Sequence, residues 1–148
     1  MKDISPLHEF VSARIVYQNA YFVVRAEGDC VLVERTDRAF ENPSVVLLEF
    51  QAMLKSIAQV DRTRSRLIVD VRRPPGISSE AMEIAMREAR MQMMAGFKKL
   101  AVLVRSPVGR LHVKRHLRED ALTDPRRTKA ADAFDSEIEA DLFMRSRP

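Results

Sequence analysis

The chain alternates between short apolar runs and longer amphipathic segments, a pattern typical of α/β proteins. The apolar runs at 21–26 and 30–35 flank a Glu-Gly-Asp sequence at 27–29, a tight-turn composition, and together predict a β-hairpin. Two later runs, 67–71 and 100–104, are mostly aliphatic and lie between charged or turn-forming residues. We interpret them as strands covered on both faces, and therefore as neighbouring parallel strands in the centre of a sheet.

Helical periodicity occupies the segments between these strands. Asn42-Pro43 and Ser106-Pro107 each supply a cap and a proline for a first helical turn, and they predict helices over about 43–60 and 107–119. A third helix, rich in methionine, is predicted from about 79 to 94. Its predicted core face consists of Met82, Ala85, Met86, Ala89 and Met93.

Weaker signals lie towards the two ends of the chain. Residues 130–134 predict a short edge strand, and Asp135 is the predicted cap of a last helix. The apolar residues expected to pack that helix are Ile138, Leu142 and Phe143. Segment 1–19 has no strong period, and its stretch 14–17 predicts either an edge strand or a cap over the sheet.

The order of these elements predicts the fold class. Strand, strand, helix, strand, helix, strand, helix, short strand, helix is typical of an α/β protein whose parallel strands are joined by right-handed helical crossovers. We therefore expect one domain over 1–148, with a mixed β-sheet, parallel central strands and about four helices.

The loop after the first central strand is the first place to expect a site. Open α/β sheets place functional groups at the carboxyl ends of their strands, where the next helix offers backbone N–H groups. Asp70 ends this strand, and Arg72 and Arg73 lead into a Pro-Pro-Gly turn before the Met-rich helix. We expect Asp70, Arg72 and Arg73 to contact a protein partner.

Asp70 at the end of a buried strand, serines at the next helix start and a second buried strand ending near Ser106 form a layout that resembles a known family. It resembles the STAS domain, the sulfate transporter and anti-sigma factor antagonist fold, over about residues 20–145. The closing segment 133–143 is also similar to small bacterial CRAL-TRIO-like proteins. The resemblance implies a non-enzymatic bacterial regulatory module.

The STAS resemblance also implies a phosphorylation switch. In antagonist-type members a kinase partner phosphorylates a serine or threonine at the helix start, and the matching positions here are Ser78 and Ser79. A phosphoryl group there would meet the positive end of the helix dipole and could pair with Arg72 or Arg73. This chain departs from the compact family motif by the segment 71–77, and ordinary N-capping is the alternative role of either serine.

The Met-rich helix carries a second candidate contact surface. At about 100° per residue, Ile84 and Met91 fall outside the core arc and lie among charged neighbours. Flexible methionines beside an exposed isoleucine are typical of adaptable contact surfaces, although single exposed apolar residues are common. We expect Ile84 and Met91 to bind a protein partner or a second copy of the chain; the alternative is a covered core position.

Composition limits the function classes without selecting one. The chain has 148 residues, enough to bury a core without disulfides or metal, and its single cysteine, Cys30, excludes an intramolecular disulfide. The net charge of +4 and pI of about 9.6 are only mildly basic. The sequence has no signal-peptide pattern and no apolar run of membrane-spanning length, so we expect a cytoplasmic protein without membrane insertion.

A row of basic residues on the helix over 107–119 is a weak anion-binding candidate. Arg110, Lys114 and Arg118 recur at i, i+4 and i+8, which places three cations on one helix face. No aromatic residues are interleaved with them for base stacking, and the chain has no tryptophan. A solvated charged face is the alternative that we prefer, and we do not expect nucleic-acid binding.

Residues for catalysis or metal binding are few. His112 and His116 share a helix face at i,i+4, but the HExxH glutamate and a third ligand are missing, so we expect no metal and no cofactor. Asp70 and Ser106 end neighbouring strands without a histidine base or a GxSxG motif. We therefore expect that the protein is not an enzyme.

The sequence favours a STAS-like protein-interaction module, with a small-ligand or lipid carrier as the alternative.

Overall fold

In the part of the chain that the structure describes, six strands form one sheet, and their order across the sheet, β1 to β6, is their order along the chain. The computed structural model describes residues 13–76, 79–123, 125, 126, 128 and 130–146. Within these residues the strands are β1 (Arg14–Gln18), β2 (Phe22–Glu27), β3 (Cys30–Arg35), β4 (Arg66–Asp70), β5 (Lys99–Leu103) and β6 (Ala131–Phe134). The helices are α1 (Pro43–Ser56), α2 (Glu80–Met94), α3 (Pro107–Thr123) and α4 (Glu137–Arg145), and a 3-10 turn spans Arg62–Arg64.

Strand pairing confirms the predicted α/β class. The strands β1, β2 and β3 pair antiparallel, and β3 to β6 pair parallel. The hairpin turn places Gly28 at φ 58°, a conformation that glycine adopts without strain. The structure also decides the open question about 14–17, because β1 is an edge strand that pairs with β2.

The two faces of the sheet are covered by different helices. Because the strand order never reverses, right-handed crossovers place α1, α2 and α3 on one face, which we call the three-helix face. Strand residues such as Val33, Val69 and Val102 belong to the core on that side. The alternate residues, including Ile68 and Leu103, form a second core under α4, on what we call the α4 face.

Helix ends agree with the capping signals, with two differences in length. The side-chain oxygen of Asn42 accepts a hydrogen bond from the Val45 N–H at 3.0 Å and begins α1 as predicted. Helix α1 ends at Ser56 instead of residue 60, and α3 continues to Thr123 instead of 119. Cys30 is buried on β3, as expected for a small apolar residue.

The prediction for α4 was wrong in its cap and in part of its packing face. Ser136, not Asp135, caps the helix, and its Oγ accepts from the Glu139 N–H at 3.4 Å. Ile138 and Leu142 are exposed, because the helix turns its Ala140 side towards the sheet, where a small residue permits close approach. The buried residues beside Ala140 are Asp141 and Met144, and Phe143 is partly buried against Phe134.

A search of the helices in the described part of the chain finds none with both the length and the apolar character needed to cross a membrane.

Candidate functional site

Helix α2 buries only part of the face that its sequence pattern predicts. Ala85, Ala89 and Met93 are buried in the core, as expected. Met82 and Met86 are only partly buried, and both line a cleft that opens between α2 and α3. The sequence pattern could not separate these two groups, because both lie on the apolar side of the helix.

The cleft occupies the carboxyl edge of the parallel strands on the three-helix face and has a volume of about 550 Å³. Its floor is formed by Val102 on β5 and by residues that follow β4 and β5, Val71 and Val104. One wall is α2, through residues that include Met82 and Met86. The other wall is α3, which contributes Gly109, His112, Val113, His116 and Leu117.

The cleft exists because α2 is held closely on one flank and loosely on the other. Helix α2 packs along α1, whereas its described polar contacts with α3 are at Asp120 and Thr123, near the end of that helix. Arg90 donates through Nε to Asp120 Oδ2 at 3.0 Å and through Nη2 to Oδ1 at 3.2 Å. No described residue of α3 is fully buried.

Two helix starts lie at the cleft. Ser79 Oγ accepts from the Met82 N–H at 3.0 Å and caps α2, and Ser106 Oγ accepts from the Gly109 N–H at 3.1 Å at the start of α3. Both hydroxyl groups are therefore used as helix caps. Helix N-termini carry partial positive charge, so the two helix starts contribute a positive potential beside Ser79 and Ser106.

Arg35 is the cleft residue that sequence reasoning missed. It ends β3, is only 6% exposed and lines the cleft. Its Nε donates to the Tyr21 carbonyl at 3.1 Å and its Nη2 to the Arg38 carbonyl at 2.7 Å, and the guanidinium lies 4.1 Å from the centre of the Phe40 ring. Burial lowers the pKa of Arg35 to about 10, so it remains cationic at neutral pH.

The sequence did contain a signal for Arg35. It continues the apolar phase of Val31 and Val33 on a strand whose alternate residues face the core, and it lies at the carboxyl edge where a site was expected.

The two histidines of α3 face the same cleft. The ring centroids of His112 and His116 are 4.2 Å apart, and both residues line the cleft. Desolvation, followed by the positive charges of Arg90 and His112, lowers the pKa of His116 below its ordinary 6.5. Across the described residues, no cluster of three or more His, Cys, Asp or Glu side chains has the arrangement of a metal site.

Asp70 and Arg72 lie away from the cleft. Asp70 is buried and, by strand alternation, faces the α4 side of the sheet. Arg72 donates to both carboxylate oxygens of Asp70, at 3.0 and 2.8 Å. The Nη2 of Arg72 also donates to Glu137 at the start of α4, at 3.2 Å. These two predicted partner-binding residues therefore help to hold α4 in place. Arg73 is exposed, and Ser106 lies on the opposite side of the sheet from Asp70.

The other candidate residues are dispersed. Ile84 is 63% exposed on α2, as expected, and Met91 is partly buried beside a second, small pocket. Ser79 is the α2 cap, while Ser78 lies outside the described residues.

The basic row on α3 is largely neutralised within the chain. Lys114 Nζ lies 3.2 Å from Asp132 Oδ1, and Arg110 donates to the Ala133 carbonyl at 2.9 Å with Asp135 3.9 Å away. Arg118 is exposed. Because β6 and the turn before α4 supply carboxylates to this row, its charge is mostly used to attach α3 to the sheet edge.

Comparison with protein-family models, with curated proteins and with solved structures gives no match for this chain. The resemblance to STAS and CRAL-TRIO-like proteins therefore depends on the layout of the sequence alone.

Proposed function

We propose that this chain is a non-enzymatic binding module that holds a small, largely apolar ligand in the cleft between α2 and α3. The observation that carries the proposal is the cleft itself, whose volume of about 550 Å³ lies within the range of small-molecule sites. Its position at the carboxyl edge of parallel strands is also where α/β proteins usually bind ligands.

The side chains around the cleft support an apolar occupant. Met82 and Met86 are flexible, polarisable side chains that can adapt to ligands of different shape. Across the cleft, Val113 and Leu117 are only partly buried, so a ligand between the helices would cover apolar surface that the protein leaves accessible. The ligand would thus complete the core beneath α3.

Two substitutions on the same helix test this function. The uncharged fluorophore phenylnaphthylamine is titrated into the wild type, Met86→Glu and Ile84→Glu, and the rise in fluorescence is measured. We expect Met86→Glu to weaken binding about tenfold or more, because it places a charge on the apolar wall, and Ile84→Glu to bind as the wild type does. No binding by the folded wild type, or equal binding by all three proteins, would reject the cleft as the site.

A second candidate function is the regulatory protein-interaction module that the STAS resemblance implies. The observation that favours it is Ile84, which is 63% exposed on the outer side of α2. Affinity capture from a bacterial lysate with the same two variants tests it. A specific partner lost with Ile84→Glu and retained with Met86→Glu supports this function; a partner retained by both variants excludes the Ile84 face.

Phosphorylation belongs to this second candidate. Ser79 lies at the α2 N-terminus, where a phosphoryl group would meet the helix dipole but would disrupt the present cap on Met82. Phosphopeptide mass spectrometry of protein from its native source tests Ser78 and Ser79 together. Unmodified peptides at full coverage would leave capping as the role of Ser79.

A further inference from the structure

Arg35 is a buried cation that has no carboxylate partner among the described residues. Its hydrogen bonds go to two backbone carbonyls, through Nε and Nη2, and no carboxylate contributes to its pKa. Its Nη1 donates to no described residue. This nitrogen is not fully buried, because Arg66 Nε is the fully buried side-chain polar atom without a partner among the described residues. A buried charge is costly unless it is paired, so an anion is the partner that this arrangement lacks.

Strand register places Arg35 at one end of the cleft floor. Glu34 pairs with Asp70, and Asp70 with Leu103, so the next residues along, Arg35, Val71 and Val104, lie in a row across β3, β4 and β5. All three line the cleft. A ligand whose charged group meets Arg35 would therefore extend its apolar part over the two valines.

The guanidinium is held in place before any ligand arrives. Two backbone carbonyls fix its plane, and the Phe40 ring, which also lines the cleft, lies against it at 4.1 Å. Such preorganisation lowers the entropic cost of binding. Lys99, another buried cation of the described chain, differs because its Nζ donates to Ser146 and it does not line this cleft.

We propose that Arg35 binds the carboxylate of an apolar monocarboxylic acid whose hydrocarbon part occupies the cleft. This inference rests on the proposed function, and it adds the chemical class of the ligand. Among the described arginines that line the cleft, Arg90 is already bound to Asp120 and Arg105 is exposed at the mouth. Arg35 is therefore the buried guanidinium that remains for one monoanionic group. Glu83, also exposed on the rim, disfavours additional negative charge on the ligand.

The test compares an acid with its uncharged analogue. Isothermal titration calorimetry measures binding of decanoate and decanol to the wild type, Arg35→Gln and the control Arg105→Gln. We expect the wild type to bind decanoate about tenfold or more tightly than decanol. Arg35→Gln should lose this preference while its affinity for decanol changes little, and Arg105→Gln should keep it.

Each other outcome overturns the inference. Equal binding of decanoate and decanol by the wild type excludes a carboxylate site but leaves the proposed apolar-ligand function intact. This wild-type comparison tests the inference even if Arg35→Gln fails to fold. An equal loss of both ligands in folded Arg35→Gln would make Arg35 purely structural. Tighter binding of decyl phosphate than of decanoate would assign a different head group, and binding of no ligand to any protein would reject the proposed function as well.

Discussion

Helix α2 has two neighbours on the same face of the sheet, and it packs against them differently. Towards α1 and the sheet it presents Ala85 and Ala89, which are buried with Phe50 and Met53 of α1 in one continuous core. Towards α3 it presents Met82 and Met86, which line an open cleft. The same helix is therefore structural on one flank and part of a candidate site on the other.

The difference follows from side-chain size: small residues allow close helix packing on one flank of α2, and large methionines line the cleft on the other. Alanine allows two helix backbones to approach closely, so the α1 flank can exclude solvent. On the α3 flank the described polar contacts are the arginine bonds to Asp120 and Thr123, which tie the helices together near the end of α3 and leave the cleft open further along. Substitutions on the two flanks should consequently have unequal costs.

The largest effect should come from removing a core aromatic on the closed flank. Phe50→Ala deletes a ring that is 3% exposed and packs edge-on against Phe22, at 5.0 Å between centroids. We expect the free energy of unfolding to fall by about 3–5 kcal/mol, measured by urea denaturation. The matched control on the same helix is Leu48→Ala, which is 64% exposed and should change it by less than about 0.5 kcal/mol. Similar costs for both would contradict the packing described.

Enlarging a side chain on each flank compares the two directly. Ala89→Leu forces three extra carbons into the closed side and should destabilise the protein by about 1–3 kcal/mol. Met86→Phe, on the cleft side, should cost less than about 1 kcal/mol, because the larger side chain can extend into the open cleft. The measurement is again urea denaturation, and equal costs would indicate that the cleft is filled in solution.

Breaking the contact at the end of α3 should loosen that helix selectively. Asp120→Ala removes the carboxylate that accepts from Arg90 and forms an ion pair with Arg87, and we expect it to lower the free energy of unfolding by about 1–2 kcal/mol. Hydrogen exchange should accelerate in α3 more than in α1, since α3 has no fully buried described residue. Glu119→Ala, at an exposed neighbouring position, is the control. Uniform acceleration across the helices would instead indicate global destabilisation.

The smallest expected effect is a pH dependence of the free energy of unfolding that arises from His116, which lines the cleft. The pKa of His116 is lowered in the folded protein, so as the pH falls the unfolded chain binds a proton first. The stability associated with neutral His116 is therefore complete above its ordinary pKa of 6.5 and decreases as the pH falls through that value. Urea denaturation at about pH 7.5 and about pH 5.5 should show a smaller loss for His116→Gln than for the wild type. An equal loss would exclude His116 as the cause.

Much of the fold could be predicted because its determinants are local. The hairpin follows from two apolar runs around Gly28, and the start of α1 follows from Asn42, whose side chain caps the helix as expected. The predicted packing of α4 was wrong at Ile138 and Leu142, because a short helix with apolar residues on several sides can turn any of them to the sheet. That choice depends on the strands beneath it.

The candidate site was predictable in place but not in its residues. The carboxyl edge of the central strands was the expected place for a site, and the cleft lies at that edge. Asp70 and Arg72, however, lie on the α4 side, because alternate residues of a strand point to opposite faces. Sequence spacing alone does not show which face has space for a ligand.

Local signals in the sequence were enough to predict the main elements, their order and the parallel centre of the sheet, because apolar period, caps and turn residues act over a few neighbouring positions. Tertiary packing, in contrast, separates α2 from α3, lines the cleft with Met82 and Met86, and puts Arg35 at one end of the cleft floor. These features depend on how closely elements distant in the sequence approach, and that distance is set by packing across the whole sheet.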